Sequence, residues 1–239
     1  TFELKRLIKF MVENISGDGE IIMPAEIAEY MDAVKATLDK YNDGKLSDFE
    51  YWDKVASIRE DYRAKVKLAF SGDEVNVTKA HINEVFASFL EKIEKGIEKA
   101  IELGNGIVPT YLTHEAVDLE PVTDANGEPV ISHYGLQKAK VKEFKTIPLP
   151  YFLEGPARMM GYMDADDARK LFNAVKETDI YDKKLAMYKT SASIEECSME
   201  NGRCRAFTPG WQERENVFLH MEYKYMLAMI KAGLYDEFY

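Results

Sequence analysis

The residues best equipped for chemistry lie together late in the 239-residue chain, in the run Thr208-Pro-Gly-Trp-Gln-Glu-Arg-Glu-Asn-Val-Phe-Leu-His-Met-Glu222. A Pro-Gly turn there delivers Trp211, Glu213, Glu215 and Asn216 to the start of a helix, with His220 about one turn inside it. Helix N-termini present unpaired N–H groups and the positive end of the macrodipole, so anions are favoured at such a place. Trp211 offers a flat apolar face for a sugar ring, and Glu213 can accept hydrogen bonds from hydroxyl groups. The same residues also make an ordinary helix start, with Glu213 and Glu215 complementing the dipole and His220 satisfied in the core. Residue type and spacing leave both readings open.

A second pattern points to a metal. Asp39-Lys-Tyr-Asn-Asp43-Gly44, continuing to Glu50, fits the calcium-loop pattern at every specified position but the third, where Tyr41 stands instead of a short oxygen ligand. Asp39, Asp43 and Glu50 are therefore the metal candidates, set against a helix–turn–helix capped by Ser47, and the structural turn is preferred. His81, His114, His133 and His220 are scattered without zinc-hydrolase spacing. No Gly-x-Ser-x-Gly elbow and no Gly-rich phosphate loop occurs. Cys197 and Cys204 are the two cysteines, too few for a disulfide framework, so a reducing, cytoplasmic interior and unpaired thiols are expected.

Composition narrows the partners. Lys and Arg number 31 against 42 Asp and Glu, a net charge of −11, with 46% hydrophobic residues. That balance argues against duplex nucleic acid, where phosphate contacts demand Lys and Arg. No apolar run approaches the roughly 20 residues of a membrane span.

The elements that must position these residues read mainly as helices. Pro24 opens one carrying Ile27, Tyr30, Met31, Val34, Leu38 and Tyr41. Ser47 caps the next, with Phe49, Trp52, Val55, Ile58 or Arg59, Tyr62 and Val66 along one side. Thr78 caps a third whose stripe runs Ile82, Val85, Phe86, Phe89, Leu90, Ile93, Ile97, Ile101 before Gly104-Asn-Gly106 ends it. From 107 to 156 the helical period fails and Pro109, Pro121, Pro129, Pro148, Pro150 and Pro156 accumulate. That stretch reads as a hairpin or long extended excursion, with a turn at Asp124-Ala-Asn-Gly127 and strands at Val130-Ile131 and Lys140-Val-Lys142. Helices resume at Asp164 or Asp166, carrying Ala168, Leu171, Phe172 and Val175. A last helix is expected from about Asn216 to Ala232. The helical pattern begins at once (Leu4, Leu7, Ile8, Met11) and the chain stops soon after Gly233, so an internal segment of a longer polypeptide is expected.

Pro209-Gly-Trp-Gln-Glu213 followed by Phe218-Leu-His220 resembles a segment of the inverting carbohydrate phosphorylases related to cellobiose phosphorylase. The close match covers about thirty residues, and Arg214-Glu215-Asn216 stands where the usual members carry Asn-Gly-Gly. The resemblance implies an (α/α)6 barrel of antiparallel helix pairs, of which residues 1–239 would be a single helical segment. It also implies phosphorolysis of β-linked gluco-oligosaccharides, with inorganic phosphate as co-substrate and no other cofactor. By the same resemblance His220 contacts phosphate, and Glu213, Trp211 and Asn216 serve the sugar. The general-acid Asp belongs to an Asp-Trp-Asn-Asp segment that this chain does not carry; Tyr51-Trp-Asp-Lys54 does not reproduce it. Inverting phosphorolysis needs one proton donor, because phosphate is already an anionic nucleophile and no second carboxylate must activate water. The alternatives are a glycoside hydrolase on the same barrel and a non-catalytic helical binding module. The expected partner is an oligosaccharide, without nucleic acid or membrane, and a homodimer is compatible with the sequence.

Overall fold

The computed structural model describes residues Thr1–Phe238. It is mixed α/β, 49% helical and 18% strand, with three small antiparallel sheets. This overturns the expected mainly α chain forming part of an (α/α)6 barrel. The chain divides into two compact units: Thr1, Glu3–Lys95 and Ala116–Lys145 in the first, Phe2, Gly96–Glu115 and the residues from Thr146 onward in the second.

In the first unit, α1 (Phe2–Asn14) is followed by β1 (Glu20–Pro24), α2 (Ala25–Asn42), α3 (Asp48–Lys65), β2 (Glu74–Thr78) and the N-terminal part of α4 (Lys79–Leu103). β1 and β2 are antiparallel, Glu20 opposite Thr78 and Pro24 opposite Glu74. Each strand runs directly into a helix. Pro24, read as a helix start, ends β1 and is the N-cap of α2. Thr78 ends β2 while its Oγ1 accepts the His81 N–H at 3.2 Å. Ile21-Ile-Met23 and Val75-Asn-Val77 are short, β-branched runs whose pairing partner lies some fifty residues away, and the strong helical periods on either side mask them.

Ser47 caps α3 as expected. It closes a capping box in which its side chain accepts the Glu50 N–H and the Glu50 carboxylate accepts the Ser47 N–H at 2.8 Å. The amide donated by Ser47 holds the Glu50 carboxyl below its ordinary range. The stripe expected on α3 is not buried: none of its residues is fully covered. Instead the rings of Tyr30 and Tyr62 stack at 4.6 Å and those of Tyr41 and Tyr51 meet at 4.8 Å where α2 packs on α3. Trp52 meets the edge of Phe144 at 5.1 Å. The α4 stripe is buried at Ile82, Val85, Phe86 and Ile93.

The proline-rich stretch forms a two-stranded sheet of β3 (Leu112–Pro121) and β4 (Ala139–Pro148). Asp124 makes the expected turn, its Oδ1 accepting the N–H groups of Asn126 and Glu128. Val130-Ile131 is not part of a strand; Ile131 forms only an isolated bridge with Gln137.

The second unit holds α5 (Glu154–Met160), α6 (Ala165–Lys176), β5 (Tyr181–Asp182), β6 (Met187–Tyr188), α7 (Arg203–Ala206), α8 (Leu219–Lys231) and α9 (Tyr235–Phe238). Its core joins Leu153, Met160, Ala168, Leu171, Phe172, Val175, Ile180, Tyr225, Met229 and Leu234, all buried. Asp164 caps α6 by accepting the N–H groups of Asp166 and Asp167. The last helix begins at Leu219, not Asn216, because Asn216 and Val217 are extended: the Asn216 carbonyl accepts the Thr190 N–H at 2.7 Å, and Val217 bridges Lys189. No helix among the described residues is long and apolar enough to cross a membrane.

Because the capping box satisfies two amides of the α3 start, Ser47→Ala is expected to lower stability by about 1 kcal/mol. Urea denaturation of the two proteins measures the difference, and an unchanged midpoint would show the cap to be idle.

Candidate functional site

The site residues of the second unit are assembled by a short polar segment, Lys189–Ala192. Thr190 donates its N–H to Asn216, accepts from the Leu153 N–H at 3.0 Å, and sends its hydroxyl to the Glu213 carbonyl at 3.0 Å. The fully buried Ser191 accepts the Glu215 N–H at 3.0 Å. The Ala192 N–H donates to the Tyr151 carbonyl at 2.8 Å. This segment therefore holds Tyr151–Leu153 on one side and Glu213–Val217 on the other. Buried backbone groups must find partners, and here nearly irregular backbone finds them by lying between two other extended runs.

Arg214 fixes the loop that follows. Its guanidinium is 3% exposed, and one of its nitrogens donates to the carbonyls of Arg205 and Phe207, both at 2.7 Å. The other terminal nitrogen is ion-paired with Glu195. On either side of Glu213-Arg214 the backbone turns left-handed, with φ of 53° at Gln212 and 54° at Glu215. Each such non-glycine residue costs about 1 kcal/mol or more and persists only where the surroundings impose it. The bonds from Arg214, Thr190 and Ser191 impose it here.

These elements enclose a cavity of about 630 Å³. Tyr111, Phe152 and Phe218 give it aromatic walls, Glu154 and Glu213 carboxylates, His220 and Lys224 nitrogen donors, Thr190 and Asn201 neutral polar groups. Tyr111 and Phe152 meet edge to face at 5.0 Å. One Glu213 oxygen accepts from Arg203 at 3.3 Å, while the other is buried without a hydrogen-bond partner. Glu154 is engaged by Arg158 at 3.1 Å and lies 3.8 Å from Lys224. Burial pushes the Tyr111 phenol up, reinforced by Glu154, Cys204 and Glu213, so it stays a hydrogen-bond donor at neutral pH. Cys197 and Cys204 also line the cavity as free thiols, the former pushed up by burial.

Of the residues singled out in the sequence, the structure brings Glu213 and His220 to one cavity. Trp211 is 57% exposed, packs on Phe207 at 5.0 Å and does not line the cavity. Asn216 acts through its backbone carbonyl. Neither Glu213 nor Trp211 sits in the first turn of a helix, since α8 starts later. His220 is exposed rather than satisfied in the core; the buried polar residue of α8 is Glu222, which accepts the Tyr188 N–H at 2.9 Å. Lys224 carried a readable signal, one helical turn after His220 on the same face. Tyr111, Phe152 and Glu154 carried none beyond an aromatic pair ahead of Glu-Gly-Pro. In the first unit Asp39 pairs with Lys35, Asp43 with Lys45, and Glu50 serves the Ser47 cap. Among the described residues no group of three or more His, Cys, Asp or Glu is arranged to hold a metal ion.

Neither a protein-family model nor a curated protein matches the chain.

Two variants probe how the site is held. Arg214→Met removes the donor to two carbonyls and leaves Glu195 paired with Arg205 alone, and is expected to cost about 1–3 kcal/mol by chemical denaturation. Gly155, at the start of α5, has no room for a side chain: a Cβ there would lie 2.4 Å from the Val108 carbonyl oxygen and 2.8 Å from Thr110 Oγ1. Gly155→Ala is expected to destabilise by about 1–3 kcal/mol. A melting temperature equal to that of the unmodified chain would refute the close approach.

Proposed function

We propose that the second-unit cavity binds a sugar beside phosphate, and that the chain is part of an enzyme of phosphorolysis acting on β-linked gluco-oligosaccharides with inversion. The observation that carries this reading is the convergence on one cavity of Glu213, with an unpartnered buried oxygen, and the His220/Lys224 pair on one face of α8. A pyranose ring needs aromatic surface for its apolar face and carboxylates for its hydroxyl groups, and the walls supply both. Phosphate needs several N–H donors in a confined, mostly apolar space, where charge-assisted bonds are strong.

In this reading Glu213 accepts a sugar hydroxyl, Tyr111 and Phe152 flank the ring, and His220 and Lys224 hold phosphate toward the anomeric carbon. The phosphate oxygen forms the new bond as the glycosidic C–O bond breaks, and the departing oxygen takes a proton. The proton donor is assigned to a part of the enzyme outside this chain. A hydrolase is the second reading, favoured by one observation: Glu154 and Glu213 place two carboxylates on the same cavity.

The expected result for this chain is binding without turnover. Phosphate and cello-oligosaccharides should each raise its melting temperature, as ligands of the native state must. The double variant His220→Ala/Lys224→Ala should weaken phosphate about tenfold to a hundredfold, and Glu213→Gln should weaken the sugar. Release of sugar 1-phosphate by the chain alone would overturn the assignment of the proton donor. Phosphate-independent release of free sugar would select the hydrolase, and no effect of either ligand would leave only a non-catalytic module.

A further inference from the structure

A groove of about 410 Å³ lies in the first unit, walled by Ala25, Ala28, Glu29 and Asp32 of α2, by residues 75–78 of β2 and by His81 of α4. The α2 residues are spaced i, i+3, i+4 and i+7, which is a single stripe of that helix. The β2 residues are consecutive. Side chains of a strand alternate between faces, so residues in a row line one groove only where it runs along the edge of the strand. The pairing with β1 shows what that edge offers. Just beyond the strands the Lys79 N–H donates to the Gly19 carbonyl and the Ala25 N–H to the Asp73 carbonyl, both at 2.9 Å. With Glu20 opposite Thr78 and Pro24 opposite Glu74, antiparallel alternation turns the amides of Val75 and Val77 toward β1 and that of Asn76 away from it. The sheet has only these two strands, and among the described residues no backbone group beyond it bonds to Glu74 or Asn76. The outer edge of β1 is blunted instead, because Pro24 has no N–H to offer.

An unpaired edge beside a groove accepts an extended chain, which adds backbone bonds to the strand and sends alternate side chains to the walls. The wall opposite β2 is narrow-sided at Ala25 and Ala28, so the space along the edge stays open. Charge selects the occupant. Glu29 and Asp32 line the groove, Glu74 stands on the same edge, and none of the lining residues is Lys or Arg. Lys65 bonds Glu29, and His81 Nε2 lies 2.6 Å from Asp32, yet both carboxylates remain exposed. Such walls attract Lys or Arg side chains and disfavour Asp or Glu. The geometry points to β2 as the docking edge for an extended, basic segment of a partner protein. The amide and carbonyl of Asn76 lie at the centre of the added ladder, Ala25 and Ala28 flank it, and Glu29 and Asp32 receive its basic side chains.

The test titrates the chain into a fluorescent Thr-Lys-Val-Lys-Thr peptide with blocked ends and follows its anisotropy. Saturable binding is expected. It should be about tenfold weaker for Thr-Glu-Val-Glu-Thr, and about tenfold weaker for the basic peptide with every backbone amide N-methylated, which keeps the charge and loses the donors. Asn76→Pro deletes the outward amide of β2 and spares those that face β1, and should weaken the basic peptide about tenfold. Ala28→Leu narrows the groove from the α2 side and should do the same, which keeps the test valid if Asn76→Pro fails to fold. Absence of binding by the basic peptide, equal binding of either control peptide, or unchanged affinity in Ala28→Leu and a folded Asn76→Pro would each overturn the proposal. Self-association of the unmodified chain that Ala28→Leu abolishes would give the edge to a second copy and overturn it as well.

Discussion

The guanidinium of Arg214 is the constraint on which the second-unit cavity depends. Residues 195–215 contain only a short 3-10 turn and the four-residue α7, so no helix or sheet ladder holds their backbone. Arg214 does much of that work, by donating to two carbonyls and pairing with Glu195, beside the bonds that Thr190, Ser191 and Arg205 make to the same stretch. The ion pair itself adds little net stability, because Arg214 is desolvated while Glu195 is 57% exposed and screened by water. Its value is geometric: the fork has a fixed shape, so the carbonyls it binds can occupy only one arrangement. Glu213, next in the chain, is then carried into the cavity wall by a turn with left-handed residues on both sides.

The rest of the site follows from how two strand-like runs meet a third. Lys189–Ala192 is short and polar, and as a free segment it would have no reason to be ordered. Lying between Tyr151–Leu153 and Glu213–Val217, it exchanges backbone bonds with both, Thr190 with Leu153 and Asn216 and Ala192 with Tyr151, and so sets their spacing. Phe152 and Glu154 enter the cavity from one neighbour, and Glu213 from the other. α8 contributes through two faces. Glu222, Tyr225 and Met229 turn inward, with Glu222 bonded to the Tyr188 amide. His220 and Lys224, on a different face, reach the cavity. The helix can present nitrogen donors there because its core face is already fixed.

What the sequence made legible is what local physics determines. The caps at Ser47, Thr78 and Asp164 lie within a turn of the amides they bind, and the α4 and α6 stripes repeat at the helical period, so each could be read in place. The strands β1 and β2 could not, because their stability comes from a partner about fifty residues distant and each has only five residues. The start of α8 was misplaced for the same reason. Asn216 and Val217 are compatible with a helix, and only pairing with Thr190 and Lys189 makes them extended. Glu213 and His220 stood out because a Pro-Gly turn and a Phe-x-His spacing keep them close in sequence. Tyr111 and Glu154 did not, because nothing local links them to the later residues whose cavity they share. The expectation of a barrel failed where helical periodicity was extended from individual helices to their arrangement, a step that non-local pairing decides.

The net charge of −11 does not describe the second-unit cavity. In the second unit, His220, Lys224 and Arg203 are set among carboxylates, so donors and acceptors alternate around the walls. A uniform acidic surface would repel anions from such a site. Discrimination therefore cannot come from the overall field, which at physiological ionic strength fades within about 8 Å. It comes from burial. A carboxylate oxygen in contact with water loses little by forgoing any one donor, whereas the buried oxygen of Glu213 gains most from a donor placed at it.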